Sequence, residues 1–374
     1  MRIQILAIGL IATSSLWAGP REDAYKMHNR LTGTPPSTDV LLEMEQLISQ
    51  NNAEAAARLA MENKNFINIV IKNWAKPFSN REQTSRVELN DYAATIMGAV
   101  RDDIRFDRIL YDDILYTVSG QTAVYSSTDN THYKSAEDSL VDFSSALTQV
   151  QQSSLTGLPA MATSGVLTTR AAGESFYSAG TNRRVNRYTF MNYLCHDYED
   201  LHDTSIPDYK VRRDVERNPG GDSRTYKNTC VGCHAGQDSI AGAYAFYDFP
   251  TNKLEYNPGS VAPKINAINN YKDGHQVVDD SWFNLWKVGV NSSKLGFRGS
   301  TQGNGARSLN AMLTKSQAFS QCMAKKVFKL VCKKDAINTD DVNFVSSQAQ
   351  SFETDYSLRT LIAKTSAGCL INED

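Results

Sequence analysis

Apolar residues recur at helical spacing at both ends of this chain and lose that spacing in its middle. Val40, Leu41, Met44, Leu47 and Ile48 share one face of a helix that Ser37 or Thr38 caps and that runs to about Ser49. Residues 20–36 before it are polar and end in Gly-Thr-Pro-Pro. Asn52 to Met61 is alanine-rich and helical, and Phe66 to Trp74 is an apolar, buried run that Pro77 ends. Leu89, Tyr92, Ala93, Ile96 and Val100 predict a helix over 87–100, and Asp107 to Leu115 one more short helix. The first 120 residues therefore read as an all-α module.

From Val118 to Arg187 Ser, Thr, Gly and Ala dominate and the period fades, which predicts loops and short irregular pieces. Tyr125, Tyr133, Phe143, Leu155 and Leu167 suggest that this stretch packs against something. Tyr188 to Leu201 is helical again. Arg212, Arg213, Arg217 and Arg224 follow around Pro219-Gly220-Gly221. After a dense aromatic run at 243–249, Asp280 to Val288 reads as a short helix with Trp282 and Trp286, and 296–307 is glycine-rich. Leu309, Met312, Phe319, Met323, Val327, Phe328 and Val331 give one helix over Ser308 to Cys332. Asp340 to Phe352 and Ser357 to Cys369 follow after short connections, so these three helices should run antiparallel. The fold expected is mainly α. Its parts are a helical module over 19–120, a loop-rich segment over 121–190, a functional region over 191–310 and a three-helix module over 311–374.

Composition adds a compartment. Met1-Arg2, an apolar stretch from Ile3 to Ala12 and a small residue at Ala18 predict a cleaved secretory signal over 1–18. No Cys lies at that cleavage site, no later stretch has the eighteen apolar residues of a membrane span, and a formal charge of −2 gives no sign of nucleic acid as a partner.

One string names a chemistry. Cys230-Val-Gly-Cys233-His234 is the attachment pattern of a c-type haem: both thiols fall on one face of a helix, and the next residue supplies the proximal iron ligand. Cys and His number six each in 374 residues, so chance assembly of the pattern is on the order of one in a thousand. A zinc half-site lacks its second pair, a thioredoxin-like pair lacks its βαβ setting, and a plain disulfide stays open. Cofactor binding is thus assigned to Cys230 and Cys233, iron ligation to His234, and one haem c to the chain. For the sixth position the candidates are Met312 first and Met191 next, then Met161, Met323, His196, His202 and His275. Arg212, Arg213, Arg217 and Arg224 could meet haem propionates, and the aromatic run 244–249 could cover one haem face.

Cys195, Cys322, Cys332 and Cys369 remain, an even number suited to disulfides in an oxidising compartment. Cys322 and Cys332 are about 15 Å apart along one helix, too far to bond. An antiparallel arrangement brings Cys369 beside Cys332, which leaves Cys195 for Cys322. A Cys195-His196 nucleophile is the alternative use of that pair.

The segment from Cys230 to Phe249 resembles the haem segment of planctomycete-type cytochrome c proteins, exported bacterial proteins built from modules of uncharacterised function. Arg30 to Pro36 is similar to the start of that family's N-terminal helical module. Gly165 to Thr169, Thr181 to Arg184 and Leu194-Cys195 are similar to the stretch before its haem. Ser316 to Cys322, Val327 to Val331 and Tyr356 to Leu361 are similar to its C-terminal module. The resemblance implies the same three haem-binding residues and no distal ligand; Gln237 stands where the family often has Met. The function expected is an exported, periplasmic monohaem cytochrome that passes single electrons to a redox partner protein, a carrier rather than a catalyst. Two alternatives stand beside it: a peroxidase-like haem enzyme or sensor with an open sixth site, and a haem-free exported scaffold.

Overall fold

The computed structural model describes residues 19–371, so the expected signal over 1–18 lies outside the described residues. The fold is mainly α. Eleven helices of seven or more residues carry it: α1 (Pro20–Thr32), α2 (Thr38–Ser49), α3 (Ala53–Ala60), α4 (Asp91–Arg101), α5 (Thr131–Asp138), α6 (Arg183–Thr189), α7 (Val231–Ala241), α8 (Gly305–Leu313), α9 (Gln317–Cys332), α10 (Thr339–Phe352) and α11 (Leu358–Ile371). Three two-stranded antiparallel sheets accompany them: Leu115–Val118 (β1) with Leu147–Val150 (β2), Tyr247–Asp248 (β3) with Glu255–Tyr256 (β4), and Ser281–Phe283 (β5) with Gln302–Asn304 (β6). No helix among the described residues is long and apolar enough to cross a membrane.

Local chemistry explains most boundaries. Ser37 caps α2 through its hydroxyl to the Val40 amide, and Asn52 and Asn90 do the same for α3 and α4. The polar stretch 20–36 is itself largely helical. Pro20 at its start, Glu22 and Asp23 in its first turn and a left-handed Gly33 at its end supply the helix signals, and Ala24, Met27 and Leu31 its buried face. Three other expectations are corrected. The helix predicted over 280–288 is strand β5 followed by a tight turn, because Asn284 caps Trp286 and lets Trp282 face the core. The single helix expected over 308–332 breaks at Thr314–Ser316, where the Ser316 hydroxyl caps α9. The segment after Asp107 is a short turn followed by strand β1, not one helix.

Most buried side chains from Ala24 to Cys369 form one core, so the expected modules share an interior, and a small second cluster gathers Ala245, Phe246, Ala262, Ile265 and Val277. Helix α11 packs on α3, and α9 packs on α10, α11 and α1, which brings the two ends of the chain together. The loop-rich segment is pinned to this body by a buried carboxylate: Asp91 accepts the backbone amides of Arg170 (2.8 Å) and Ala171 (3.0 Å). Two disulfides, Cys195–Cys322 and Cys332–Cys369, close loops of 127 and 37 residues, the pairing expected from the sequence.

Candidate functional site: a cysteine and histidine helix face beside an arginine cleft

Helix α7 follows directly on a π-type turn, Tyr226–Cys230, so that Cys230 stands at its start. At 100° per residue, Cys230, Cys233, His234 and Gln237 share one face, while Gly232 and Gly236 lie on the other. The back face is a close-packed seam. A Cβ on Gly232 would come within 2.4 Å of the His202 ring, and one on Gly236 within 2.1 Å of Trp286. Two glycines one turn apart therefore let an imidazole and an indole lie against the helix backbone. The front face is only partly covered: Cys230, Cys233 and His234 are all half-buried.

Both motif cysteines are free thiols, whereas the four others are paired. The Cys233 thiol donates to the Tyr198 carbonyl at 3.4 Å. Burial raises its pKa, and the carboxylates of Glu199 and Asp197 add to the rise. His234 Nδ1 lies 3.5 Å from Asp238 Oδ2, one turn along the helix. That distance is too long for a well-formed hydrogen bond, and Nδ1 has no other partner. Asp238 is itself fixed. Arg183 reaches both its oxygens (2.5 and 2.9 Å) and also holds Asp214, and the Arg212 amide donates to it at 3.0 Å. Burial alone would raise the Asp238 pKa, but Arg183 first, then the neighbouring His234 and Arg212, outweigh it and hold the carboxyl well below its usual range.

Helix α6 runs beside α7 and forms the other wall of the site. Arg81 and Glu82 face Arg183, Arg184, Arg187 and Tyr188 across an open cleft of about 550 Å³, to which α7 contributes Gln237 from its front face. Gln237, one turn past Cys233 and His234 on the same face, is the residue through which α7 borders this cleft. Several buried polar atoms near here lack partners: His234 Nδ1, Arg184 Nη1, Tyr198 Oη, Trp286 Nε1, and Nε and Nη2 of Arg212. Of these, His234 Nδ1 belongs to the front face of α7 and Arg184 Nη1 to the cleft wall, so both can take a partner from outside the chain.

Among the described residues no three His, Cys, Asp or Glu side chains are grouped to hold a metal ion. A haem iron needs no such group, because the porphyrin supplies four of its ligands. The residues present fit a thioether-linked haem: two free thiols and an imidazole on one helix face, a carboxylate 3.5 Å from the inner imidazole nitrogen, and open volume beside the same helix.

The structure places the other candidates elsewhere. Met312 is a core residue of α8 whose sulfur accepts from Asn284 at 3.5 Å. Asn284 also caps Trp286, which lies on the back of α7, so no contact carries Met312 to His234. Met323 is fully buried in α9, and Met161 is exposed in a loop. His202 bonds the Thr229 carbonyl at 3.2 Å behind the motif. His275 lines a separate cavity of about 120 Å³ with Ser239 and Gly242. His196 lines another, of about 240 Å³, with the Cys195–Cys322 disulfide, Lys294 and Lys325. That disulfide leaves Cys195 no thiol to serve as a nucleophile. Met191, half-buried, stands on the π-type continuation of α6 one turn past Tyr188, and is not among the residues that line the cleft.

The arginines singled out for propionates are engaged differently. Arg212 is buried and bonds the Thr181 carbonyl, and burial with repulsion from Arg183 lowers its pKa to about 10. Arg213 bonds the Asn266 carbonyl, Arg217 covers Tyr226 and Tyr271, and exposed Arg224 pairs with Asp222. The aromatic run is core: the Tyr244 hydroxyl donates to Asn310 and the Tyr247 hydroxyl to the Ala162 carbonyl. The arginines at the cleft, 183, 184 and 187, escaped the sequence reading, although their spacing on one helix was a signal. Comparison of the chain with protein-family models, curated proteins and solved structures finds no match.

Proposed function

We propose that this chain is an exported monohaem c-type cytochrome that passes single electrons to or from a redox partner protein. The observation that carries the reading is the front face of α7, where Cys230 and Cys233 stay as free thiols beside His234 while every other cysteine is paired. Cys230 and Cys233 would hold the haem covalently, and His234 would ligate its iron through Nε2, which makes no hydrogen bond among the described residues. Asp238, clamped by Arg183, would keep Nδ1 turned inward. A haem held there supplies a reversible one-electron iron couple. Two disulfides and the predicted signal support export.

The test is an absorption spectrum of protein made with haem-attachment machinery, oxidised and reduced. A haemochrome band that survives denaturation and disappears in Cys230→Ala/Cys233→Ala is expected. Its absence from the wild type would leave the haem-free scaffold. The openness of the cleft favours a second reading, a haem enzyme or ligand sensor with a free sixth position. A prompt spectral change with cyanide or carbon monoxide selects that reading; no change selects two protein ligands, with Met191→Ala then exposing the sixth position and Met312→Ala not.

A further inference from the structure

The cleft beside the motif carries positive charge that the protein's own carboxylates leave unbalanced. Arg183 is held by Asp214 and Asp238, and Arg187 by Asp197 and Glu199. Among the described residues Arg81 and Arg184 have no such partner. Glu82 also lines the cleft, and no ion pair among the described residues joins it to either of them. Nη1 of Arg184 is buried without an acceptor. Burial, and then repulsion from Arg81, lowers the pKa of the Arg184 guanidinium. The two guanidiniums border the same open volume, and one of them has a buried N–H group without an acceptor. Such an arrangement is unfavourable until an anion accepts from it.

The fork of a guanidinium matches the two oxygens of a carboxylate. Glu82 stands in the same cleft and disfavours the concentrated double charge of a phosphate. We infer that Arg81 and Arg184 together form a carboxylate-binding site at the edge of the motif face. The carboxylate has two possible sources: a haem propionate, which rests on the function proposed above, or a free organic acid, which does not.

Succinate titrated by calorimetry at low salt into the Cys230→Ala/Cys233→Ala protein, to which haem cannot attach, tests the site itself. Measurable binding is expected, weakened about tenfold or more by Arg184→Gln and equally by Arg81→Gln on the opposite wall. Circular dichroism melts identify any variant that fails to fold, and Arg184→Lys, which keeps charge without the fork, should bind at an intermediate level. Haem-loaded wild type then separates the sources. If a propionate fills the site, loaded protein does not bind succinate and Arg184→Gln lowers its midpoint potential. If a free acid is the ligand, loaded protein binds succinate as the cysteine variant does. Succinate affinity unchanged by both arginine variants, or phosphate bound more tightly than succinate, would overturn the inference. A wild type that carries no covalent haem overturns the cytochrome reading, while the cysteine-variant titration still decides the carboxylate site.

Discussion

At the residue scale, one histidine predicts a pH response away from the motif. His275 forms an isolated bridge with Arg212, and its ring lies near Lys210 and Arg212. Burial first, and then those two cations, lower its pKa from 6.5 to about 4, with Asp238 and Asp279 opposing weakly. Between those values the unfolded chain binds a proton that the folded protein does not. This part of the stability is complete above pH 6.5 and is lost as the pH falls toward 4. Thermal melts across this range should show the midpoint falling with pH, and His275→Gln should flatten that slope. A slope identical in both proteins would assign the response to other groups.

At the scale of elements, the buried carboxylate of Asp91 does what a longer helix would otherwise do. It sits at the start of α4 and accepts two amides from residues 170 and 171, so a segment with little regular structure acquires a fixed position. Asp91→Ala removes the acceptor and leaves both amides buried. A loss of about 2–4 kcal/mol is expected in urea unfolding, from a charge-assisted bond lost and donors left unsatisfied. Asp91→Asn, which keeps one acceptor oxygen, should lose less. Equal losses would show that burial rather than hydrogen bonding sets the effect.

At the scale of the whole molecule, the disulfides bind distant parts of one core. Cys195–Cys322 ties the continuation of α6, which forms the cleft wall, to α9; Cys332–Cys369 ties α9 to α11. Opening the loop of 127 residues by Cys195→Ala/Cys322→Ala should cost about 2–5 kcal/mol in the same unfolding measurement. It should also loosen the cleft wall, read as faster amide exchange over 183–194. Exchange that rises uniformly over the chain would show that the bond acts only on the unfolded state.

The α class, most helices of the two ends, the cysteine pairing and the three residues of the motif were legible along the chain. These rest on short-range signals: helical period, capping side chains, and a pentapeptide whose geometry is set within one turn. Cys332 and Cys369 were legible because short connections force neighbouring helices to run antiparallel. The helix over 20–32 was missed because its apolar face is narrow, though its Pro, acidic first turn and Gly were all present. Only the tertiary structure decided that Met312 is core and that Arg212 and Arg217 are structural. It also placed Arg81 against Arg184, residues about a hundred apart in the chain, and gave Asp238 its two arginine neighbours. No local pattern encodes such meetings. They follow from how α6 packs on α7 and from where the chain between them returns, so the motif could be read directly while its surroundings required the fold.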